Sequence, residues 1–232
     1  MVINHKMMSL QLIKNITSDD TFQKACDWLL QKRKKYHHNS DVWDFLIKWD
    51  KIVPAIRKKI NDGNYQFDIQ KRVRINGESI DVWTAMDSVI LKSITLVLSL
   101  FLKPYFSKNC CHIKGNGGTR KAIKDLRSNI NQYRFFCRSD VKSYYASIDH
   151  NILLSQAEKY IPDMTVIRLI WLYLKRTIDI GGKCIRVHKG IGRGCSLSPL
   201  MGALYLKPLD DRMEALDVFY TRFMDDWVIL AK

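Results

Sequence analysis

The sequence FYTRFMDDWVIL at residues 219–230 places two adjacent carboxylates, Asp225 and Asp226, between two short apolar runs. This pattern predicts a β-hairpin that carries both acids at its tip. Turns commonly contain Asp, so the pair taken alone is more typical of turn chemistry than of a metal site. Adjacent carboxylates repel each other unless a cation lies between them, and another acid close by would therefore favour a metal site.

That further acid is Asp140, at the end of an apolar strand predicted over residues 134–140. If this strand lies beside the 219–230 hairpin, the three carboxylates converge. Hard oxygen ligands of this kind, completed by water and phosphate, are those that Mg²⁺ prefers. A pair of such ions can activate an attacking hydroxyl and stabilise a leaving pyrophosphate in an in-line displacement.

Three segments in this order resemble the reverse transcriptases, most closely the bacterial ones of group II introns, retrons and diversity-generating elements. They are RSDVKSYYASIDH at 138–150, GIGRGCSLSPLMGALYL at 190–206 and YTRFMDDWVILAK at 220–232. The resemblance implies the fingers and palm of a right-hand polymerase, with a small antiparallel palm sheet backed by helices. It also implies an RNA template, a primer strand, a deoxynucleotide substrate and two Mg²⁺ ions, or Mn²⁺ in their place.

The resemblance assigns roles to individual residues around the acids. Asp140 and Asp225 become ligands of both metal ions, Asp226 becomes the third carboxylate, and the carbonyl of Val141 completes one site. Tyr145 matches the aromatic residue under the sugar of the incoming nucleotide, where a ring leaves no space for a 2′-hydroxyl. The neighbouring Tyr144 is expected to be a core aromatic.

The middle segment departs from the family at Arg193, which stands where many relatives have Gln. Arg keeps hydrogen-bond donors but lacks the acceptor and adds a fixed charge. In the family this side chain lies near the template base and the incoming nucleotide. Gly194, Ser198 and Pro199 match the part of the segment that lets the template approach closely.

The resemblance also predicts phosphate-binding cations in the first part of the chain. Arg72 and Arg74 stand on a predicted hairpin where relatives place cations for the triphosphate. Lys114 precedes a glycine-rich loop that corresponds to a basic loop near the template, and backbone amides of such a loop can bind phosphate.

The charge distribution agrees with a nucleic-acid partner. The 232 residues include 38 Lys or Arg and 23 Asp or Glu, for a formal net charge of +15. Residues 1–139 hold 25 basic and 12 acidic residues, a net charge of +13, whereas 140–232 hold 13 and 11, a net charge of +2. We therefore predict mainly helical, basic fingers with the start of the palm in 1–139, and the palm with the catalytic acids in 140–232.

Apolar periodicity and turn residues predict an α+β fold with strands scattered among helices. The predicted helices are 20–35, 42–61, 85–102, 119–131, 150–160, 163–175 and 198–215. The predicted hairpins are 73–83 with its turn at Asn76-Gly77, 178–187 with its turn at Gly181-Gly182, and 219–230. Asp149, Asp210 and Asp211 are expected at helix ends or on the surface.

Membrane, secretory and zinc classes are disfavoured. The longest apolar run, 94–102, has nine residues, whereas a membrane-spanning helix needs roughly 20. Residues 1–15 lack an apolar signal core, which predicts a cytoplasmic protein. The six cysteines form no C-x-x-C pair, so we expect free thiols.

Two other functions are compatible with the same motifs. One is an RNA-binding or maturase-like module that has the polymerase fold without catalysis, and the other is an RNA-dependent RNA polymerase. Tyr145 and Met224, which stands where those RNA polymerases commonly have Gly, disfavour the second. Because the sequence ends seven positions after Asp225, we expect a chain without the thumb. The oligomeric state, the template and the biological programme do not follow from the sequence.

Overall fold

The computed structural model describes residues 11–75 and 77–232. Within them, helices α1 to α11 are Leu12–Ile16, Asp19–Arg33, Asp41–Ile47, Trp49–Asn61, Ala85–Phe101, Gly118–Asn129, Tyr144–Ser147, His150–Tyr160, Met164–Leu174, Ser198–Tyr205 and Lys207–Glu214. Strands β1 to β7 are Gln70–Ile75, Glu78–Val82, Phe135–Asp140, Thr177–Ile180, Lys183–Arg186, Phe219–Phe223 and Asp226–Ala231. The mixed α+β class predicted from the sequence is therefore confirmed.

The strands form two sheets, ordered β2-β1-β4-β5 and β3-β7-β6. In the first, β1 pairs antiparallel with β2 and parallel with β4, so the hairpin of residues 177–186 completes a sheet begun by residues 70–82. Each sheet therefore contains strands from both sides of residue 140. Asn76 and residues 1–10, on which the turn and most of the signal-sequence expectation fall, lie outside the described residues.

The core is organised around α5, a nearly continuous apolar helix. Its buried residues include Ile90, Ile94 and Leu98, and helices α1, α2 and α3 pack against it. Thr84 caps its first turn by accepting a hydrogen bond from the Asp87 amide, which satisfies a donor that the helix itself leaves free. One contiguous cluster of apolar side chains extends from this core to α8, α9 and α10.

Two helices predicted as continuous are each broken into two. The 42–61 segment breaks at Lys48, which lets α3 pack on α5 while α4 packs on α1. The 198–215 segment breaks at Leu206, two residues before Pro208. Proline has no amide hydrogen and restricts the residue before it, so the chain starts a new helix there.

The second sheet is fully antiparallel and has β7 at its centre. Strand β6 is covered by α6, whereas β3 is exposed along most of its length. Asp140 ends β3 and Asp226 begins β7, so both acids lie at the same end of this sheet.

The structure also tests the membrane and cysteine expectations. No helix among residues 11–75 and 77–232 has the length and apolar character that a bilayer crossing requires. All six cysteines are free, and four of them are buried. The expectation of free thiols is confirmed.

Candidate active site

Strand register brings the predicted acids together. Asp140 of β3 lies directly opposite Asp226 of β7, and residues opposite each other in an antiparallel pair project from the same face. Asp226 is also opposite Phe223 of β6, so Met224 and Asp225 form the turn between β6 and β7. The three acids are thus gathered where two strands and a tight turn meet.

The electrostatics of the cluster differ from one acid to the next. Burial raises the pKa of Asp225, and the negative charges of Asp140 and Asp226 raise it further. Asp226 is held by Arg138, whose Nε and Nη2 donate to its two carboxylate oxygens at 3.0 and 2.6 Å. No ion pair within the described residues includes Asp140 or Asp225. The negative charge that lacks a partner is therefore concentrated on these two acids.

This donor set is compatible with a hard cation, although it is not a ready-made three-acid site. Within residues 11–75 and 77–232, no three His, Cys, Asp or Glu side chains are grouped closely enough to hold a metal ion. Asp140, Asp225 and the carbonyl of Val141 are oxygen donors, as Mg²⁺ requires. Burial and then the charges of Asp140 and Asp226 raise the pKa of Asp225, and a bound cation would favour its ionised form.

The residue before the acids is held in an uncommon conformation. Met224 has φ of 58°, in the left-handed region that a side chain disfavours. Its amide donates to His112 Nδ1 at 3.0 Å, and its carbonyl accepts from Arg222 Nη1 at 2.6 Å. The backbone amide and the backbone carbonyl of Met224 are therefore both fixed by side chains, and the turn holds Asp225 in one orientation.

Arg222 is anchored by an acid that the sequence placed on the surface. Asp210 of α11 and Arg222 form a fully buried ion pair, with Nε to Oδ1 at 2.8 Å, and Tyr220 donates to the same Oδ1 at 2.7 Å. Asp210 lies in the first turn of α11, as expected of a helix-end acid, but the expectation of a surface position was wrong, because strand β6 buries a guanidinium that needs a counter-charge. Asp211 is exposed and pairs with Lys207, as expected of a surface acid.

His112 connects the acidic turn to α10. Since Nδ1 accepts from Met224, the proton is on Nε2, which donates to the Pro199 carbonyl at 3.3 Å. Burial, followed by the charge of Arg222, lowers the pKa of His112 to about 4. The imidazole of His112 is therefore neutral near pH 7 while it bridges Met224 and Pro199. No sequence motif singles out His112, because its partner Met224 lies 112 residues further along the chain.

Tyr145 lies close to the acidic turn. Its hydroxyl is 3.7 Å from Met224 Sδ, and burial followed by the charge of Asp225 raises its pKa to about 12. Tyr144 is buried and donates to the Gly202 carbonyl at 2.5 Å, which confirms its expected core role. A Cβ at Gly202 would lie 3.1 Å from the Tyr145 ring and 3.2 Å from that of Tyr144, so glycine lets both rings pack there.

Three of the predicted contact residues meet at a cavity of about 260 Å³. Arg72, Tyr145 and Arg193 line it, together with Asp81. Arg72 donates to both carboxylate oxygens of Asp81, at 2.7 and 3.1 Å, so its guanidinium is oriented by an acid on the neighbouring strand. Arg193 also lines a second cavity of about 310 Å³ with Gly194, Trp28 and Lys32, and it therefore stands between the two.

Ser198 does not have the surface position that contact with a template requires. It is fully buried, donates to the Gly192 carbonyl at 2.6 Å and shares a hydrogen bond of 2.7 Å with Tyr173. The prediction of a template-contacting Ser198 was wrong, because its hydroxyl is used to hold the preceding loop. Pro199 is half-buried in the first turn of α10.

Arg74 and Lys114 lie outside both cavities described above. Arg74 is exposed on β1 opposite Ser79. Lys114 is exposed in the loop before α6. Burial lowers the pKa of Lys92 of α5, and the nearby positive charge of Lys114 also lowers it. Lys32 of α2 acts on Lys92 in the same way. These three lysines form a positive region at the junction of three separate elements.

Comparison with known proteins shows which family the chain is similar to. A family model described as "Reverse transcriptase (RNA-dependent DNA polymerase)" matches residues 80–232. The chain is 23% identical over 176 residues to the "Group II intron-encoded protein LtrA" of Lactococcus lactis subsp. cremoris, covering 73% of this chain and 29% of that protein. It is 19% identical over 165 residues to the "Putative COX1/OXI3 intron 1 protein" of Saccharomyces cerevisiae, covering 68% of this chain and 20% of that protein.

The fold also has a counterpart among solved structures. A chain of the "Partial Cas6-RT-Cas1--Cas2 complex" superposes with a TM-score of 0.61 at 18% sequence identity, covering 95% of this chain and 38% of that one. This chain thus spans less than a third of the length of the curated relatives quoted above. The family match begins within β2 and covers β4, β5 and the whole acidic cluster. The chain belongs to the reverse transcriptase family.

Proposed function

We propose that this chain forms the fingers and palm of an RNA-directed DNA polymerase. The reaction is attack of a primer 3′-hydroxyl on the α-phosphate of a deoxynucleotide, directed by an RNA template, with release of pyrophosphate. The observation that carries the proposal is the meeting of Asp140, Asp225 and Asp226 at one end of the β3-β7-β6 sheet, beside Tyr145. In this assignment the β3-β7-β6 sheet is the palm sheet.

Asp140 and Asp225, with the carbonyl of Val141, would hold Mg²⁺ or Mn²⁺, and the bound ions would supply charge stabilisation at the attacking and leaving oxygens. Asp226 is the third carboxylate, and Arg138 balances its charge. The Arg222 and His112 contacts to Met224 keep the turn rigid, which matters because a displaced catalytic group is costly in rate.

The rim of the 260 Å³ cavity supplies substrate selection. The Tyr145 ring lies where a 2′-hydroxyl would have to fit, so ribonucleotides are penalised by a clash. Arg72 on the rim and Arg74, which lies outside the cavity on the same strand, serve the triphosphate. Arg193 lies between the nucleotide cavity and the cavity lined by Gly194. Pro199 and the positive region of Lys32, Lys92 and Lys114 face the template, a contact that we expect to weaken steeply with salt.

Primer extension on an RNA template with deoxynucleotides and with ribonucleotides tests this proposal. We expect extension with deoxynucleotides that is lost in Asp140→Ala and Asp225→Ala, while both variants keep RNA binding. A control variant, Asp217→Asn, changes an exposed acid that pairs with exposed Lys232 and should extend normally. Extension by the Asp225→Ala variant would contradict the assignment.

One observation favours the second candidate, an RNA-binding module without catalysis. Asp226 already forms an ion pair with Arg138, so this carboxylate has a counter-charge without a metal ion. RNA binding without any extension would establish this candidate. A preference for ribonucleotides would instead indicate an RNA polymerase.

A further inference from the structure

Arg176, which follows α9, is a buried cation without a counter-charge. It is 7% exposed, and none of the ion pairs within residues 11–75 and 77–232 includes it. Its Nη1 donates to the Gly190 carbonyl at 3.0 Å, whereas its Nε is sealed from solvent and has no hydrogen-bond partner. No motif of the sequence pointed to this residue.

Burial of this guanidinium is unfavourable, because removing a charge from water costs free energy unless an opposite charge replaces the solvent. Burial accordingly lowers the pKa of Arg176. The carboxylate of Asp81 acts on Arg176, but both of its oxygens already accept hydrogen bonds from Arg72. Within the described part of the chain, no ion pair therefore balances the charge of Arg176.

Arg176 faces the 260 Å³ cavity that also contains Tyr145. The cavity is lined by four cations and a single carboxylate; they are Arg72, Arg176, Lys189, Arg193 and Asp81. The second terminal nitrogen of Arg176, Nη2, makes no hydrogen bond within the described part of the chain and, unlike Nε, is not closed off from solvent. The N–H groups of Nη2 are therefore available to an anion inside the cavity.

We propose that Arg176 is an anion-binding residue of this cavity and contacts a phosphate group of the bound nucleotide. This inference rests on the proposed function, because it takes the cavity to be the nucleotide site. Several cations around one acid suit a ligand with several negative charges, and a guanidinium binds phosphate oxygens through charge-assisted hydrogen bonds. A role limited to holding the Gly190 loop would require only Nη1 and would leave the buried charge unexplained.

The first test measures binding of inorganic tripolyphosphate to the 232-residue chain by calorimetry, without any catalytic step. We expect Arg176→Met to weaken binding roughly tenfold or more, since a charge-assisted contact is lost. Arg176→Lys keeps the charge without the planar fork and should give an intermediate loss, which also covers the case in which the methionine variant does not fold. Arg168→Met removes an exposed cation of α9 outside the cavity and should bind as the unmodified chain does.

The second test measures KM for a deoxynucleotide in primer extension. A raised KM in Arg176→Lys with weaker tripolyphosphate binding supports the inference. Unchanged tripolyphosphate affinity in both variants overturns it, and so does a loss confined to RNA binding, which would assign Arg176 to the strand backbone. If tripolyphosphate binding depends on Arg176 but the chain never extends a primer, the proposed function is wrong and the anion site is still supported.

Discussion

Gly190 is the position where a single added methyl group should disturb both the fold and the sugar selection. It has φ of +83°, and a Cβ built there would lie 2.9 Å from the Tyr145 carbonyl oxygen, from Ala146 Cα and from the Ala146 carbonyl oxygen. These contacts are with backbone, which cannot rotate away. The segment that the Cβ would strike is the one that carries the Tyr145 ring.

Hydrogen bonds prevent Gly190 from moving to relieve the clash. Its amide donates to the Ile148 carbonyl at 2.8 Å, and its carbonyl accepts from His150 Nε2 at 2.8 Å and from Arg176 Nη1 at 3.0 Å. Any shift of residue 190 would lengthen at least one of these bonds, two of which involve buried side chains. The strain must therefore be taken up by the fold or by the Tyr145 segment.

The expected cost of Gly190→Ala has two parts. An alanine in the left-handed region costs about 1–2 kcal/mol, and overpacking against backbone adds roughly 1–3 kcal/mol. Gly182→Ala is a matched control, because Gly182 has φ of +91° and nothing within 4 Å of a built Cβ. It should show the first cost alone.

Equilibrium urea unfolding of the two variants gives the comparison, with unchanged m-values as the check that the unfolding reaction is the same. We expect Gly190→Ala to be the less stable by roughly 1–3 kcal/mol, and its preference for deoxynucleotides over ribonucleotides to fall as Tyr145 is displaced. Equal destabilisation of the two variants, with sugar preference unchanged, would refute the close approach.

Three further perturbations follow from the same structure. Because the pKa of His112 is lowered to about 4 from a usual 6.5, the unfolded chain binds the proton first as pH falls. The free energy of unfolding should be highest above pH 6.5 and fall by up to about 3 kcal/mol toward pH 4. Urea unfolding across this pH range should show the fall in the unmodified chain and lose it in His112→Gln. Asp210→Asn should destabilise the fold by roughly 3–5 kcal/mol by leaving buried Arg222 unpaired, whereas Asp211→Asn, which breaks an ion pair with one exposed partner, should cost under about 1 kcal/mol in the same assay. Tyr145→Ala should lower the ratio of kcat/KM for a deoxynucleotide to that for the matching ribonucleotide, and an unchanged ratio would remove the ring from sugar selection.

Local patterns were sufficient to predict most of the elements and the acids themselves. The 219–230 hairpin, the 135–140 strand and the 150–160 helix all follow from apolar spacing and turn residues, which act within a few positions of the chain. The parallel pairing of β1 with β4 joins residues more than 100 positions apart, and no local pattern encodes it. The helix break at Leu206 could have been predicted from the sequence, because Pro208 stands two positions later.

The support of the acidic turn was harder to foresee. An Arg in the otherwise apolar strand of residues 219–223 is a signal, because a buried guanidinium requires a counter-charge. The sequence does not say which acid supplies that charge, and the assignment to Asp210 depends on how α11 packs. His112 and Arg176 carry no local signal at all, since their roles arise from contacts with Met224 and with the 190–193 loop.

Incorporation of a single deoxynucleotide under single-turnover conditions tests the central claim most directly. The unmodified chain, Asp225→Asn and Asp217→Asn would be compared on one RNA template and primer with Mg²⁺ present. We expect the unmodified chain and Asp217→Asn to incorporate the deoxynucleotide, and Asp225→Asn to incorporate none at equal occupancy of the template. Incorporation by Asp225→Asn at the rate of the unmodified chain would contradict it.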